Sequence, residues 1–118
     1  MIPEDRFLDI AKGLFEKTKQ GKVNWKLPPP GHLGLPAPAN AYMVQLPNAL
    51  ITLMYCSPRT EPDFVMLIFQ GPKGPVGSWK VEEGSEHWRL ANSLYSDVTR
   101  YVTGWDKVLE EVEQFIKS

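Results

Sequence analysis

The sequence predicts an α+β protein with an N-terminal helix, an antiparallel meander of four to five strands and two C-terminal helices. Three observations lead to this fold class. Residues 64–70, FVMLIFQ, are apolar on both faces of an extended chain, other short apolar runs flank them between turn residues, and two stretches near the C-terminus place hydrophobic residues at helical spacing. With 118 residues, 42% of them hydrophobic, we expect one domain covering 1–118 with a substantial core.

Residues 3–20 have the features of a helix. Pro3 suits the first turn, and the acidic Glu4 and Asp5 follow it near the positive end of the helix dipole. Gly21 is expected to end the helix. The predicted buried face carries Phe7, Leu8, Ala11, Leu14, Phe15 and Thr18.

The predicted strands cover residues 42–46, 50–56, 64–70 and 76–81, with residues 23–25 as a fifth, short candidate. Short connections favour antiparallel neighbours, which gives a meander. Residues 28–40, PPPGHLGLPAPAN, have no periodicity and are rich in proline, which lacks a backbone donor. This segment is predicted to be a loop of extended, polyproline-like character.

Two helices are predicted after the meander. Ser85 is the expected cap of the first, which runs to about Tyr101 or Val102, and Thr103 is the expected cap of the last. The last helix has the clearest amphipathic pattern in the chain, so its leading residue Trp105 is expected in the core. Its apolar stripe consists of Trp105, Val108, Leu109, Val112, Phe115 and Ile116.

The run at residues 64–70 requires cover on both faces, because a half-exposed strand alternates apolar and polar residues. The C-terminal helices account for one face. The second face has four candidate covers: the first helix in a three-layer sandwich, the proline-rich loop with Leu33 and Leu35 as a lid, a second copy of the chain, or a different partner.

Charge and cysteine content narrow the function classes. A net charge of −1 gives no general reason to expect nucleic-acid binding, for which a basic face is typical. Cys56 is the only cysteine, so no disulfide forms within the chain. Neither a signal peptide nor a membrane-spanning run is visible, so we expect a cytoplasmic protein with no membrane or nucleic-acid partner.

Candidate catalytic groups are few. His87 lies in the acidic stretch EEGSEH at 82–87, and His32 lies in the proline-rich loop, but neither has a motif that supplies a catalytic or metal-binding partner. The segment GPKGP at 71–75 lacks phosphate-loop spacing and is predicted to be a hairpin turn. We therefore assign no catalytic residue, no metal ligand and no cofactor.

Aromatic and apolar residues at the ends of elements are the better functional candidates, because such residues often anchor partners. Several of them lie at the ends of predicted elements or on partly polar segments, where half-exposure is expected. The candidate partner-binding residues are Trp25, His32, Leu33, Leu35, Trp79 and Trp88.

The order of elements carries a resemblance. The tryptophan-bearing segment at 23–25, the meander, and the Leu94-Tyr95 pair followed by Arg100 resemble small uncharacterised bacterial proteins with a helix, β-meander, two-helix layout. The longer segment at 28–40 departs from that layout. The resemblance implies the fold and no activity.

The leading hypothesis is a non-enzymatic protein-interaction module, an accessory, adaptor, chaperone-like or inhibitor protein, whose partner is another protein or a second copy in a homodimer. One alternative is a module that binds a small apolar ligand between the sheet and the proline-rich loop. A second alternative is an enzyme in which His87 or His32 works with neighbouring carboxylates.

Overall fold

The computed structural model describes residues 3–29 and 40–118. Three helices and four strands follow one another in the predicted order. They are α1 (Glu4–Lys19), β1 (Ala41–Leu46), β2 (Ala49–Cys56), β3 (Phe64–Gly71), β4 (Gly74–Glu82), α2 (Trp88–Thr103) and α3 (Trp105–Lys117).

The four strands form one antiparallel sheet in the order β1-β2-β3-β4, so the predicted α+β meander is confirmed. Two-residue turns connect β1 to β2 and β3 to β4. Residues 23–25, the candidate fifth strand, form no strand, and the next residue, Lys26, makes a single antiparallel bridge to Met43 beside β1. The described residues therefore contain four strands.

Both α1 and α2 pack on the same face of the sheet. Phe7 of α1 stacks on Phe69 and Trp79, with ring centroids 5.6 and 6.3 Å apart. Tyr95 of α2 contacts Tyr55 on β2, whose register places it on the same side as those rings. The three-layer sandwich, in which α1 covers the second face, is therefore wrong.

The second face of the sheet carries the other half of the apolar run. Phe64, Met66 and Ile68 are half-buried there, and the Lys80 ammonium lies 4.3 Å from the centre of the Phe64 ring. No helix within residues 3–29 and 40–118 packs over this face. Leu33 and Leu35, the predicted lid residues, lie outside the described residues.

The starts of α2 and α3 differ from prediction. Helix α2 begins at Trp88 with His87 in the N-cap position, and Ser85 belongs to the turn before it. Thr103 belongs to α2, where its hydroxyl donates to the carbonyl of Thr99 at 2.7 Å, and Gly104 separates the helices with a left-handed φ of 64°. A left-handed residue ends a helix and redirects the chain, and glycine adopts it without strain.

No helix in the described part of the chain is long and apolar enough to cross a membrane.

Candidate interaction surface

The hydrophobic stripe of α3 lies in solvent. Its side chains occupy one side of the helix at the predicted spacing, and their exposed fractions run from 39% to 80%. We call this set the α3 apolar face, and it consists of Trp105, Val108, Leu109, Val112, Phe115 and Ile116. None of the residues of α3 is buried.

Helix α2 shows what the same kind of pattern does when it meets the sheet. Its Ala91, Leu94 and Val98 are buried in the core, and Leu94 and Val98 are fully inaccessible. The chain turns at Gly104. Among the principal contacts between elements, α3 makes only a small contact with α2 and none with a strand. Within the described residues, no element therefore covers the apolar side of α3.

The size of this face is unusual for a surface that remains in water. The exposed parts of the six residues amount to roughly 700 Å² per chain, with Phe115 contributing the largest share. Contiguous apolar patches on monomeric proteins are usually smaller, about 300–600 Å², and larger ones mark interaction sites. A lone helix of 13 residues is also marginal in water, so packing of this face would stabilise α3 itself.

A groove of about 560 Å³ lies at the base of α3, where the helix joins α2. Trp105 belongs both to the wall of this groove and to the α3 apolar face, so the two features are continuous. We call it the aromatic groove, and its lining includes Asn40, Tyr55, Tyr95, Arg100, Thr103 and Trp105.

Tilted tyrosine rings form an aromatic wall of this groove. The rings of Tyr55 and Tyr95 are 5.3 Å apart, and Tyr95 also contacts Tyr42 at 5.7 Å. Trp88 meets Tyr55 edge-on at 6.0 Å. Such tilted and edge-on arrangements are the favoured ones for aromatic pairs, so the rings hold one another in place.

Both groove tyrosines hold their protons more tightly than usual. The Tyr55 hydroxyl donates to Asp63 Oδ2 at 2.7 Å, and this bond, with some burial and the negative charge of Asp63, raises the pKa of Tyr55 to about 12. Burial is the main cause that raises the pKa of Tyr95 to about 12. Both rings are therefore neutral hydrogen-bonding groups at physiological pH.

The predicted partner-binding residues differ in burial. Trp25 and Trp79 are 3% and 6% exposed, so their expected half-exposure is wrong and they belong to the core. Trp88 is half-buried against Tyr55, and its partner-binding role stays a prediction. His32, Leu33 and Leu35 lie outside the described residues.

Trp105, predicted in the core, is 51% exposed, because α3 leaves the body of the protein at Gly104. The helical spacing identified the apolar stripe correctly and gave no information on what covers it. Tyr95 follows the buried Leu94 in α2, but its contact with Tyr55 depends on how α2 crosses the sheet. No local signal predicts the aromatic groove.

His87 has one carboxylate neighbour from a distant part of the chain. Its Nε2 lies 3.9 Å from Glu4 Oε1 of α1, beside a shallow depression of about 350 Å³ that Glu82 and Glu86 also line. Within the described residues no group of three or more His, Cys, Asp or Glu side chains is arranged to hold a metal ion. The enzyme hypothesis for His87 stays a prediction.

Comparisons of this chain with protein-family models, with curated proteins and with solved structures find no match.

Proposed function

We propose that this protein is a non-enzymatic protein-interaction module that docks through the α3 apolar face. Within this class it acts as an accessory, adaptor, chaperone-like or inhibitor protein. We expect it to work in the cytoplasm and to bind a protein partner, with no nucleic acid and no membrane involved.

The exposure of all six hydrophobic side chains of α3 is the observation that carries this proposal. Burial of apolar area is the main favourable term in protein association, at about 25 cal/mol per Å² before the costs of association. Trp105 and Phe115 are the kind of large aromatic residues that dominate binding energies. The opposite side of α3 is charged and suits exposure to solvent, with Asp106, Lys107, Glu110, Glu111, Glu113 and Lys117.

A paired affinity capture tests the proposal. Immobilised protein is exposed to lysate of its native host and to an untagged second copy of itself, and Val112→Glu is used as the matched bait. We expect the native bait to retain a protein that Val112→Glu loses, because a carboxylate at the centre of the apolar face would be buried without a partner. Glu110→Gln, on the charged side of α3, is the control and keeps the retained protein.

If no protein of either kind depends on Val112, the α3 apolar face is not a docking surface and the proposal is wrong. Circular dichroism and thermal unfolding of each bait establish that the variants retain the fold.

A small ligand in the aromatic groove is a second candidate function. The groove volume, its tyrosine wall and the polar groups at its margin, among them Asn40 and Arg100, are typical of sites for small molecules with an apolar body. This candidate is tested by native mass spectrometry of freshly purified protein. A retained small molecule that Tyr95→Ala releases supports it, and a mass equal to that of the bare chain counts against it.

A further inference from the structure

We propose that the partner of α3 is the α3 helix of a second copy, packed antiparallel to it, so that Phe115 of each copy enters the aromatic groove of the other. This inference rests on the proposed function, because it identifies the occupant of the same docking face.

The area of the face fits a dimer of this kind. Each copy offers roughly 700 Å² of exposed hydrophobic side chain, and two such faces together approach the total of about 1,600 Å² buried in an ordinary stable interface. The groove residues add to this total, because Trp105 makes them continuous with the helix face. A second copy therefore supplies enough apolar area without any other protein.

The residue spacing of α3 fits helix pairing. Trp105, Val108, Val112 and Phe115 repeat at intervals of three and four, which is the spacing of the contact seam between two packed helices, and Leu109 and Ile116 widen that seam on one side. In an antiparallel pair, Trp105 lies opposite Phe115 of the second copy, and Val108 lies opposite Val112. The symmetry axis then passes at the level of Glu110.

The groove selects the antiparallel direction. Phe115 and Ile116 are the most exposed members of the face, at 80% and 73%, and they lie at the end of α3 that is far from the groove. Phe115 lies ten positions after Trp105, a distance of about 15 Å along the helix. Antiparallel pairing brings the Phe115 ring of one copy to Trp105 and the groove of the other, whereas parallel pairing leaves both grooves without an occupant.

Two-fold symmetry also limits the assembly to two copies. An interface that uses the same surface on both subunits is self-complementary and closes on itself, so it leaves neither α3 apolar face free for a third copy. Antiparallel helices place opposite dipole ends beside each other, which is the favourable arrangement.

Sedimentation equilibrium gives the first test. At roughly 1–100 µM we expect a mass of about twice 13.4 kDa, in a concentration-dependent equilibrium with the single chain. Val112→Glu is expected to raise the dissociation constant by about a hundredfold or more, and Phe115→Ala by about tenfold or more. Glu110→Gln is the control on the charged side of α3 and leaves the equilibrium unchanged.

Disulfide trapping tests the direction of pairing with smaller changes. In a Cys56→Ser background, Val108→Cys mixed with Val112→Cys is expected to form a covalent dimer on mild oxidation, because these positions oppose each other. Phe115→Cys by itself is expected to form none, because its two copies lie at opposite ends of the helix pair. Efficient cross-linking of Phe115→Cys alone shows parallel pairing and overturns the proposal.

The outcomes separate this inference from the function on which it rests. If the protein is a single chain at 100 µM and the mixed cysteine variants do not cross-link, the second copy is not the partner. If a different protein is retained and its retention depends on Val112, the proposed interaction function stands, and that protein occupies the α3 apolar face. If neither the second copy nor another protein depends on Val112, both proposals fail.

Discussion

The indole Nε1 of Trp25 donates a hydrogen bond to Thr18 Oγ1 at 3.0 Å, and this bond joins the segment after α1 to the last turn of the helix. Both side chains are buried, and the Thr18 hydroxyl in turn donates to the carbonyl of Leu14 at 2.7 Å. One residue further on, Lys26 forms the bridge to Met43 at the edge of β1. The bond therefore fixes the path by which the chain passes from α1 towards the sheet.

Replacing Thr18 by valine is expected to lower the free energy of unfolding by about 1–3 kcal/mol, because the Trp25 indole N–H would remain buried without an acceptor. The measurement is urea unfolding followed by tryptophan fluorescence. Thr103→Val is the matched control, since Thr103 makes the same kind of hydroxyl-to-carbonyl bond within a helix but is exposed, and we expect a change below about 0.5 kcal/mol. Equal losses for the two variants would contradict the role of the indole bond.

Alkaline pH is expected to destabilise the fold through the two groove tyrosines. The pKa values of Tyr55 and Tyr95 are raised from 10.0 to about 12 in the folded protein, so the folded state holds their protons more tightly than the unfolded state. Their contribution to stability is complete below pH 10 and is lost as the pH rises towards 12. Unfolding free energies measured across this range should fall progressively.

The tyrosinate absorbance of the folded protein provides a direct measurement of these pKa values. Asp63→Asn is expected to move the titration of Tyr55 to lower pH, because it replaces the carboxylate whose hydrogen bond is the main cause of the raised pKa. Tyr55→Phe is the reference that identifies the Tyr55 signal. An Asp63→Asn titration identical to that of the native protein would show that this hydrogen bond does not control Tyr55.

Leu94 is expected to be one of the most sensitive positions in α2. It is fully inaccessible in the core, and truncation of a buried leucine to alanine usually costs about 2–5 kcal/mol through lost burial and the cavity that remains. Leu27→Ala is the control, because Leu27 is 66% exposed and should change stability by less than about 0.5 kcal/mol. Both variants are compared by the midpoint of urea unfolding, and a small effect at Leu94 would place α2 differently.

Two glycines of the N-terminal region should respond in opposite directions to alanine. Gly13 lies inside α1 with open space where a Cβ would stand, so Gly13→Ala is expected to stabilise the protein by about 0.5–1 kcal/mol. Gly21 has a left-handed φ of 70°, so Gly21→Ala is expected to destabilise it by about 1 kcal/mol. Thermal unfolding of the pair checks the sign of each change, and stabilisation by both would show that Gly21 does not need its observed conformation.

The order and type of the elements follow from local patterns in the chain. Side-chain periodicity and turn residues act over a few positions. Elements of the expected kind therefore form at the run around residues 64–70, at the hairpin turn within 71–75 and along the stripe of α3. The candidate strand at 23–25 does not form, and the chain meets the sheet one residue later, through a single bridge from Lys26 to Met43.

The candidate surface could be predicted only in part. The sequence identified the hydrophobic side of α3 residue by residue, yet it placed Trp105 in the core and Trp25 and Trp79 at the rim, and the structure reverses all three. Burial of a tryptophan depends on what packs against it from distant parts of the chain. Helix spacing contains no information about that neighbour.

The sequence by itself determined that residues 64–70 form a strand with two apolar faces and that α3 has one apolar side, because alternation and helical spacing are properties of the local chain. Only the tertiary structure decided that α1 joins α2 on the same face of the sheet and that α3 turns away at Gly104. The physical reason is that an amphipathic pattern specifies a surface that favours burial, whereas the partner of that surface is selected by packing between elements that are far apart in the chain.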